Sequence, residues 1–175
     1  MRYIIDPLHS DIQFKIRHLM ISSVKGTFTS FRAEMISEKE DFTDSEFWCE
    51  IDVASINTRI TDRDTHLRSS DFFDVEKHPL IKFNSTSVKR EDNQYIIQGI
   101  LEIKGVGKPV ELVGTYNGSD VDHYGQEKFG FDLETKINRA DFDLTFNTIG
   151  GKNTLLIGDD VSIDISIQMI KSEKK

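Results

Sequence analysis

Apolar and polar residues change places at every second position along most of this chain. Ile12, Phe14 and Ile16 share one parity, while Gln13, Lys15 and Arg17 hold the other. Phe47, Cys49, Ile51 and Val53 alternate with Trp48, Glu50 and Asp52, and Ile81 and Phe83 alternate with Lys82 and Asn84. Phe129, Phe131, Leu133 and Ile137 alternate with Lys128, Asp132, Glu134 and Lys136. The longest run places Val161, Ile163, Ile165, Ile167 and Met169 against Ser162, Asp164, Ser166 and Gln168. A period of two belongs to strands with one buried and one wet face. Two more strands are predicted over 95–103 and 110–116. From 24 to 35 the phase slips, because Phe28 and Phe31 differ in parity; a bulge near Thr29-Ser30 reconciles the two halves.

Turn chemistry separates these runs. Asp92-Asn93 divides two strands, Gly105-Val106-Gly107-Lys108-Pro109 divides two more, and Asn117-Gly118 opens a polar loop that runs to Gly125. Gaps this short favour antiparallel hairpins over parallel crossovers. Residues 61–75 break the alternation. They read as one or two short helices, with Asp62 and Asp64 early and Arg68 later, as a helix dipole prefers. His78-Pro79 ends the segment. About eight strands with one apolar face close as a sandwich or as a barrel, whose interior is filled or holds one ligand. Periodicity does not choose between them.

At 175 residues the chain is one domain, expected over residues 1–171 with a frayed tail over 172–175. The formal charge of −8 argues against a nucleic-acid surface, which needs a basic stripe. One cysteine, Cys49, makes neither an internal disulfide nor a cysteine-based zinc site. No run approaches the ~18 apolar residues of a membrane span. Charge and proline interrupt the first residues, Met1 to Pro7, so they form no apolar leader core. A cytoplasmic location is therefore expected unless a leader was removed before the numbering starts. Twelve Phe against one Trp and four Tyr point to a large, dry interior.

Several short blocks now stand out in order. They are Asp6-Pro7-Leu8-His9-Ser10, Ile16-Arg17-His18-Leu19, Val24-Lys25-Gly26-Thr27-Phe28 and Ile51-Asp52-Val53-Ala54-Ser55-Ile56-Asn57-Thr58. The longest runs from Arg63-Asp64-Thr65-His66-Leu67-Arg68 through Ser69-Ser70-Asp71-Phe72-Phe73-Asp74 to His78-Pro79 and Ile81-Lys82-Phe83. Gly99, Leu101, Ile103-Lys104-Gly105-Val106, Ile137-Asn138-Arg139-Ala140-Asp141-Phe142 and Gly158-Asp159-Asp160-Val161 follow. Together, and over nearly the whole chain, these pieces resemble the YceI-like family of polyisoprenoid-binding, lipocalin-like barrels. The resemblance implies an antiparallel barrel that holds a long apolar chain in its bore, a helical segment near one opening, and a homodimer. The Gly-x-Trp signature of true lipocalins is absent, so the likeness to them is one of shape.

On that resemblance the bore lining is expected from Phe14, Ile16, Phe28, Ile51, Val53, Leu67, Phe72, Phe73, Phe83, Leu101, Phe129, Phe131, Ile163 and Ile165. A polar head would meet His18, Asn57, Arg63 and His66 near the mouth. The competing reading of the aromatics is a filled core, and of Arg63 with Asp64 and Arg68 with Asp71, ion pairs that pin the helical segment. Asp6, His9 and Ser10 look like a hydrolase triad but sit on one predicted strand, where neighbours point apart. The five histidines show no metal-ligand spacing, and a site built from His18 and His66 is a minor alternative. Residues 150–154 read as a flexible loop. The expected function is binding, storage or transport of an isoprenoid or isoprenoid quinone, with no cofactor, catalysis or stable membrane insertion. The alternatives are a fatty acid or amide carrier, a lipid-acting enzyme with His18 or His66 as base, and a filled partner-binding domain.

Overall fold

The computed structural model describes residues 1–149 and 156–172. Its strands are β1 (Arg2–Ile5), β2 (Asp11–His18), β3 (Ser22–Phe28), β4 (Phe31–Ile36), β5 (Glu46–Asp52) and β6 (Ile56–Asn57), then, after helix α1 (Thr61–Arg68), β7 (Leu80–Glu91), β8 (Gln94–Ile103), β9 (Val106–Val121), β10 (Glu127–Asn138) and β11 (Ile157–Ser172). All pairings are antiparallel. They join the eleven strands into one closed barrel of eight staves, because β11 pairs β10 on one edge and both β2 and β1 on the other. The first staves are each broken in two, as β1/β2, β3/β4 and β5/β6. The breaks have local causes. Asp6 and Asp52 turn their carboxylates back onto the amides of Leu8 and Ala54, both at 3.1 Å, and start single 3₁₀ turns. Pro7 also removes a ladder donor. The expected slip at Thr29-Ser30 is the gap between β3 and β4; Thr29 N donates to Ser55 O and Asp52 N to Ser30 O, so neighbouring breaks lock each other.

The turns depart from the sequence reading in three places. Lys104-Gly105 alone makes the β8–β9 turn, with both residues at positive φ, so Val106 to Pro109 are strand and not loop. β9 likewise continues through Gly118 to Val121, and the turn falls at Asp122 to Gln126. Ser172, expected in a frayed tail, pairs with Arg2 and continues β11, while the rest of that tail, 173–175, lies outside the described residues. The predicted helical segment is one helix, α1, followed by turns. The glycine-rich loop expected at 150–154 lies outside the described residues.

One end of the barrel is plugged. Phe42, from the loop between β4 and β5, stacks on Phe129 at 4.6 Å and meets Tyr3, Tyr116 and Phe131 edge-on at 5.7–6.0 Å. Tyr95 donates its hydroxyl hydrogen to Asp41 O at 2.9 Å, and Asp44 accepts from Ser37 Oγ at 2.6 Å, so the loop is tied at both sides of Phe42. The other end carries α1, the β2–β3 hairpin and the segment after β10. There the wall also parts. β10 pairs β9 from Glu127↔Val121 to Glu134↔Val113 and no further, leaving an outer groove between Lys108, Val110 and Glu111 on one side and Lys136, Asn138 and Asp141 on the other.

Candidate functional site

Between the plug and the open end lies a cavity of about 390 Å³. Its wall is built from inward positions of nearly every stave, which explains why it is apolar: Ile12, Phe14 and Ile16 of β2, Cys49 and Ile51 of β5, Ile81 and Phe83 of β7, Leu101 of β8, and Ile163 and Ile165 of β11. Ala33, Ile97 and Ile167 form its floor beside the plug, and Leu67, Phe72 and Phe73 of the α1 segment close over it.

Room exists because two rings lie along the wall. A Cβ at Gly26 would fall 2.3 Å from Phe14 Cζ, and one at Gly99 would fall 2.5 Å from Phe83 Cζ. Each phenyl thus rests on a bare glycine of the neighbouring strand instead of crossing the bore. Burial, and then the charge of Glu50, push the Cys49 thiol up to about 12. It is therefore a thiol and not a thiolate at neutral pH.

Most of the residues expected to line the bore do so: Phe14, Ile16, Phe28, Ile51, Leu67, Phe72, Phe73, Phe83, Leu101, Ile163 and Ile165. Three do not. Phe129 and Phe131 have the right parity but the wrong depth, and belong to the plug. Val53 leaves the strand in the 3₁₀ turn and is packed solid at 1% exposure.

Of the polar candidates, His18, Arg63 and His66 line the mouth, and Asn57 does not. Asn57 points outward and accepts from Arg59 N at 2.9 Å, a turn role. Arg63 donates to Thr58 Oγ1 and Thr58 O, both at 2.7 Å, while buried Asp64 accepts from Thr58 N and Oγ1. Arg68 donates to Ala54 O and Ile56 O. The segment is pinned as expected, but by backbone groups and Thr58 and not by Arg63–Asp64 or Arg68–Asp71 pairs. Asp71 instead meets His66 Nε2 at 2.8 Å, and the His66 ring stands edge-on to Phe72 and Phe146. His18 lines the mouth with no hydrogen-bond partner for its ring among the described residues.

Arg139 was not singled out from the sequence, yet it forms part of the cavity wall. At 4% exposure it donates to Gly158 O, Leu144 O and Phe146 O and faces Asp159 at 3.5 Å. It moors the segment after β10, so Leu144 and Phe146 also reach the cavity. Nothing local in the sequence marks it, because its partners are carbonyls at positions 144, 146 and 158.

The Asp6–His9 contact corrects another expectation. The 3₁₀ turn, not an extended strand, brings His9 Nδ1 to 2.9 Å from Asp6 Oδ2. Ser10 Oγ accepts from Gln168 N instead of joining them, so no relay forms. Among the described residues no three His, Cys, Asp or Glu side chains converge as metal ligands would.

An eight-stave meander with a one-ended apolar cavity defines a lipocalin-like barrel. The chain belongs to the YceI-like domain family, whose model matches residues 3–169. A UPF0312 protein of Staphylococcus epidermidis is 37% identical over 93% of this chain and 94% of its own length. Among solved structures, BcnA of Burkholderia cenocepacia superposes with a TM-score of 0.81 at 22% identity, covering 94% of this chain and 98% of that one. A polyisoprenoid binding domain from Saccharophagus degradans gives 0.72 at 16% identity, over 97% and 98%. At these identities the two structures establish the shared fold alone.

Proposed function

We propose that this protein binds and carries an isoprenoid-type chain in the cavity, its tail toward Ala33 and its head at His18, without transforming it. The observation that carries this reading is a blind, almost wholly apolar cavity whose mouth holds an imidazole with no hydrogen-bond partner among the described residues. An apolar tail gains affinity from buried area alone, at ~25 cal/mol per Å², and a head group then needs one or two donors at the opening. Capacity follows from volume. An engineered apolar cavity of ~150 Å³ takes one benzene, so 390 Å³ takes about fifteen carbons by the same yardstick, or about three isoprene units. The protonated Cys49 and the incomplete Asp6–His9 pair support carriage over catalysis. A homodimer also fits the exposed Ile4 and Ile36, which share the outer face of β1 and β4 away from the mouth.

Mass spectrometry of an organic extract of purified protein tests the reading. It is expected to release an isoprenoid or prenylated quinone; a fatty amide would keep the cavity and change the ligand class. Stripped protein is expected to melt lower and to recover on adding the lipid. At a hundredfold excess over Kd the ligand contributes roughly 2.7 kcal/mol, or about 5–10 °C for a domain of this size. A stripped protein that melts unchanged and ignores every apolar ligand would sink the proposal.

A further inference from the structure

The β2–β3 hairpin, at the open end, breaks a local rule. Leu19 and Met20 sit at φ 54° and 60°, and Ile21 N donates to His18 O, so they are the central residues of a β-turn with both φ positive, inside a three-residue loop closed by the His18–Ser22 pair. Asn-Gly is the usual occupant, because few side chains tolerate that backbone. Here the positions hold Leu and Met, 36% and 66% exposed, followed by Ile21 at 80%. Strained backbone and wet apolar side chains are both unfavourable, and these side chains belong to neither buried core of the barrel.

The tip is continuous with the cavity rim. Leu19 N donates to Leu156 O, and Leu156 N donates to Thr148 O. Leu156, Thr148 and His18 all line the mouth, and Ile149, next along, is 66% exposed. Charge supplies a separate observation. In a chain of net charge −8, the stretch between Asp11 and Glu34 has no carboxylate but carries Lys15, Arg17, Lys25 and Arg32. Lys15 and Lys25 are direct cross-strand partners, an arrangement that destabilises an isolated hairpin. An apolar tip above paired cations is the pattern of an element that enters the boundary of an anionic bilayer.

We propose that this hairpin docks the barrel on a phospholipid surface with anionic headgroups. Leu19, Met20 and Ile21 enter the acyl boundary, and Lys15 and Lys25 lie at the phosphates. The inference rests on the cavity being a site for an apolar chain, since the docked mouth then faces the phase in which such a chain dissolves.

Flotation of the full chain with phosphatidylcholine–phosphatidylglycerol vesicles containing no isoprenoid tests docking apart from cavity binding. The protein is expected to float at low salt and to be released in part as salt rises. The double variant Leu19→Asn, Met20→Gly suits the turn better, so it is expected to melt higher while losing about a hundredfold or more in vesicle partitioning. Its lipid extract is expected to match that of the original chain. Lys15→Gln with Lys25→Gln is expected to weaken binding to the anionic vesicles and leave the residual binding to pure phosphatidylcholine unchanged.

Failure of the original chain to float would overturn docking, whereas an empty extract would overturn the cavity reading instead. Docking also fails if the Leu19→Asn, Met20→Gly variant floats as well as the original. A dimer that this variant dissociates, in a protein that never floats, assigns the tip to a second copy and overturns the proposal.

Discussion

Filling the floor of the cavity measures how far a bound tail reaches. Ala33 is buried at 7% exposure and borders the cavity beside the Phe42 plug. Ala33→Phe adds a phenyl ring there, and by the benzene yardstick the ring consumes ~150 Å³ of the 390 Å³. Capacity then falls from about fifteen carbons to about nine. Each buried methylene contributes ~0.8 kcal/mol, or about a fourfold change in Kd. For the original chain, Kd across a series of linear prenyl or alkyl alcohols is expected to fall fourfold per carbon and level off near fifteen. In Ala33→Phe the levelling comes near nine, and a fifteen-carbon ligand loses about three and a half orders of magnitude. Displacement of an apolar fluorescent dye reads both curves. Ala33→Leu, with three added carbons, should place the break near twelve and serves if the larger ring disturbs folding. Identical break points in folded variants would refute the tail orientation and the capacity estimate together.

Three further outcomes follow from other parts of the barrel. Phe42→Ala empties the plug and is expected to cost about 3–5 kcal/mol, read as a melting point lower by about 6–20 °C. Burial pulls the Asp6 carboxyl upward, but hydrogen bonds from His9, Leu8 N and Gln168 and the charge of His9 outweigh it, so its pKa lies below the ordinary value of 3.8. A depressed carboxyl stabilises the fold above its unfolded pKa and loses that contribution as pH falls through the folded one. Unfolding free energies from denaturant titrations are therefore expected to favour the original chain over Asp6→Asn by about 1–2 kcal/mol at pH 7, with the gap closing below about pH 4; a constant gap would refute it. Cys49, with its thiol near 12, is expected to react slowly with an apolar maleimide at pH 8 and more slowly still when lipid fills the cavity. Equal rates for stripped and loaded protein would place the ligand elsewhere.

The alternation of β2, β5, β7 and β11 made the inward faces legible, because parity is a local property of the chain. Depth along the barrel axis is not. Phe14 and Phe131 share the same kind of pattern, yet one borders open space and the other is capped by Phe42, which arrives from a loop with no periodicity of its own. Asp6, Asp52 and Asn138 each bend the strand with a side chain that looks like an ordinary wet-face residue in an alternating run. Val53 was misplaced for that reason. Among the mouth groups, His18 continued the parity of Phe14 and Ile16 and was legible. Arg139 was not, since its role depends on carbonyls that other parts of the chain bring to it.

Where β9 and β10 separate, two short edges have no strand partner among the described residues, and an unpaired edge is a template onto which any extended chain can add. Pro109 on β9 has no N–H to offer such a visitor, and Lys108, Glu111, Lys136 and Asp141 surround the slot with charge. The sequence thus guards against cross-β growth at the position where ring closure does not. Replacing Pro109 with a β-branched residue would leave the cavity untouched and turn the slot into a seed for aggregation.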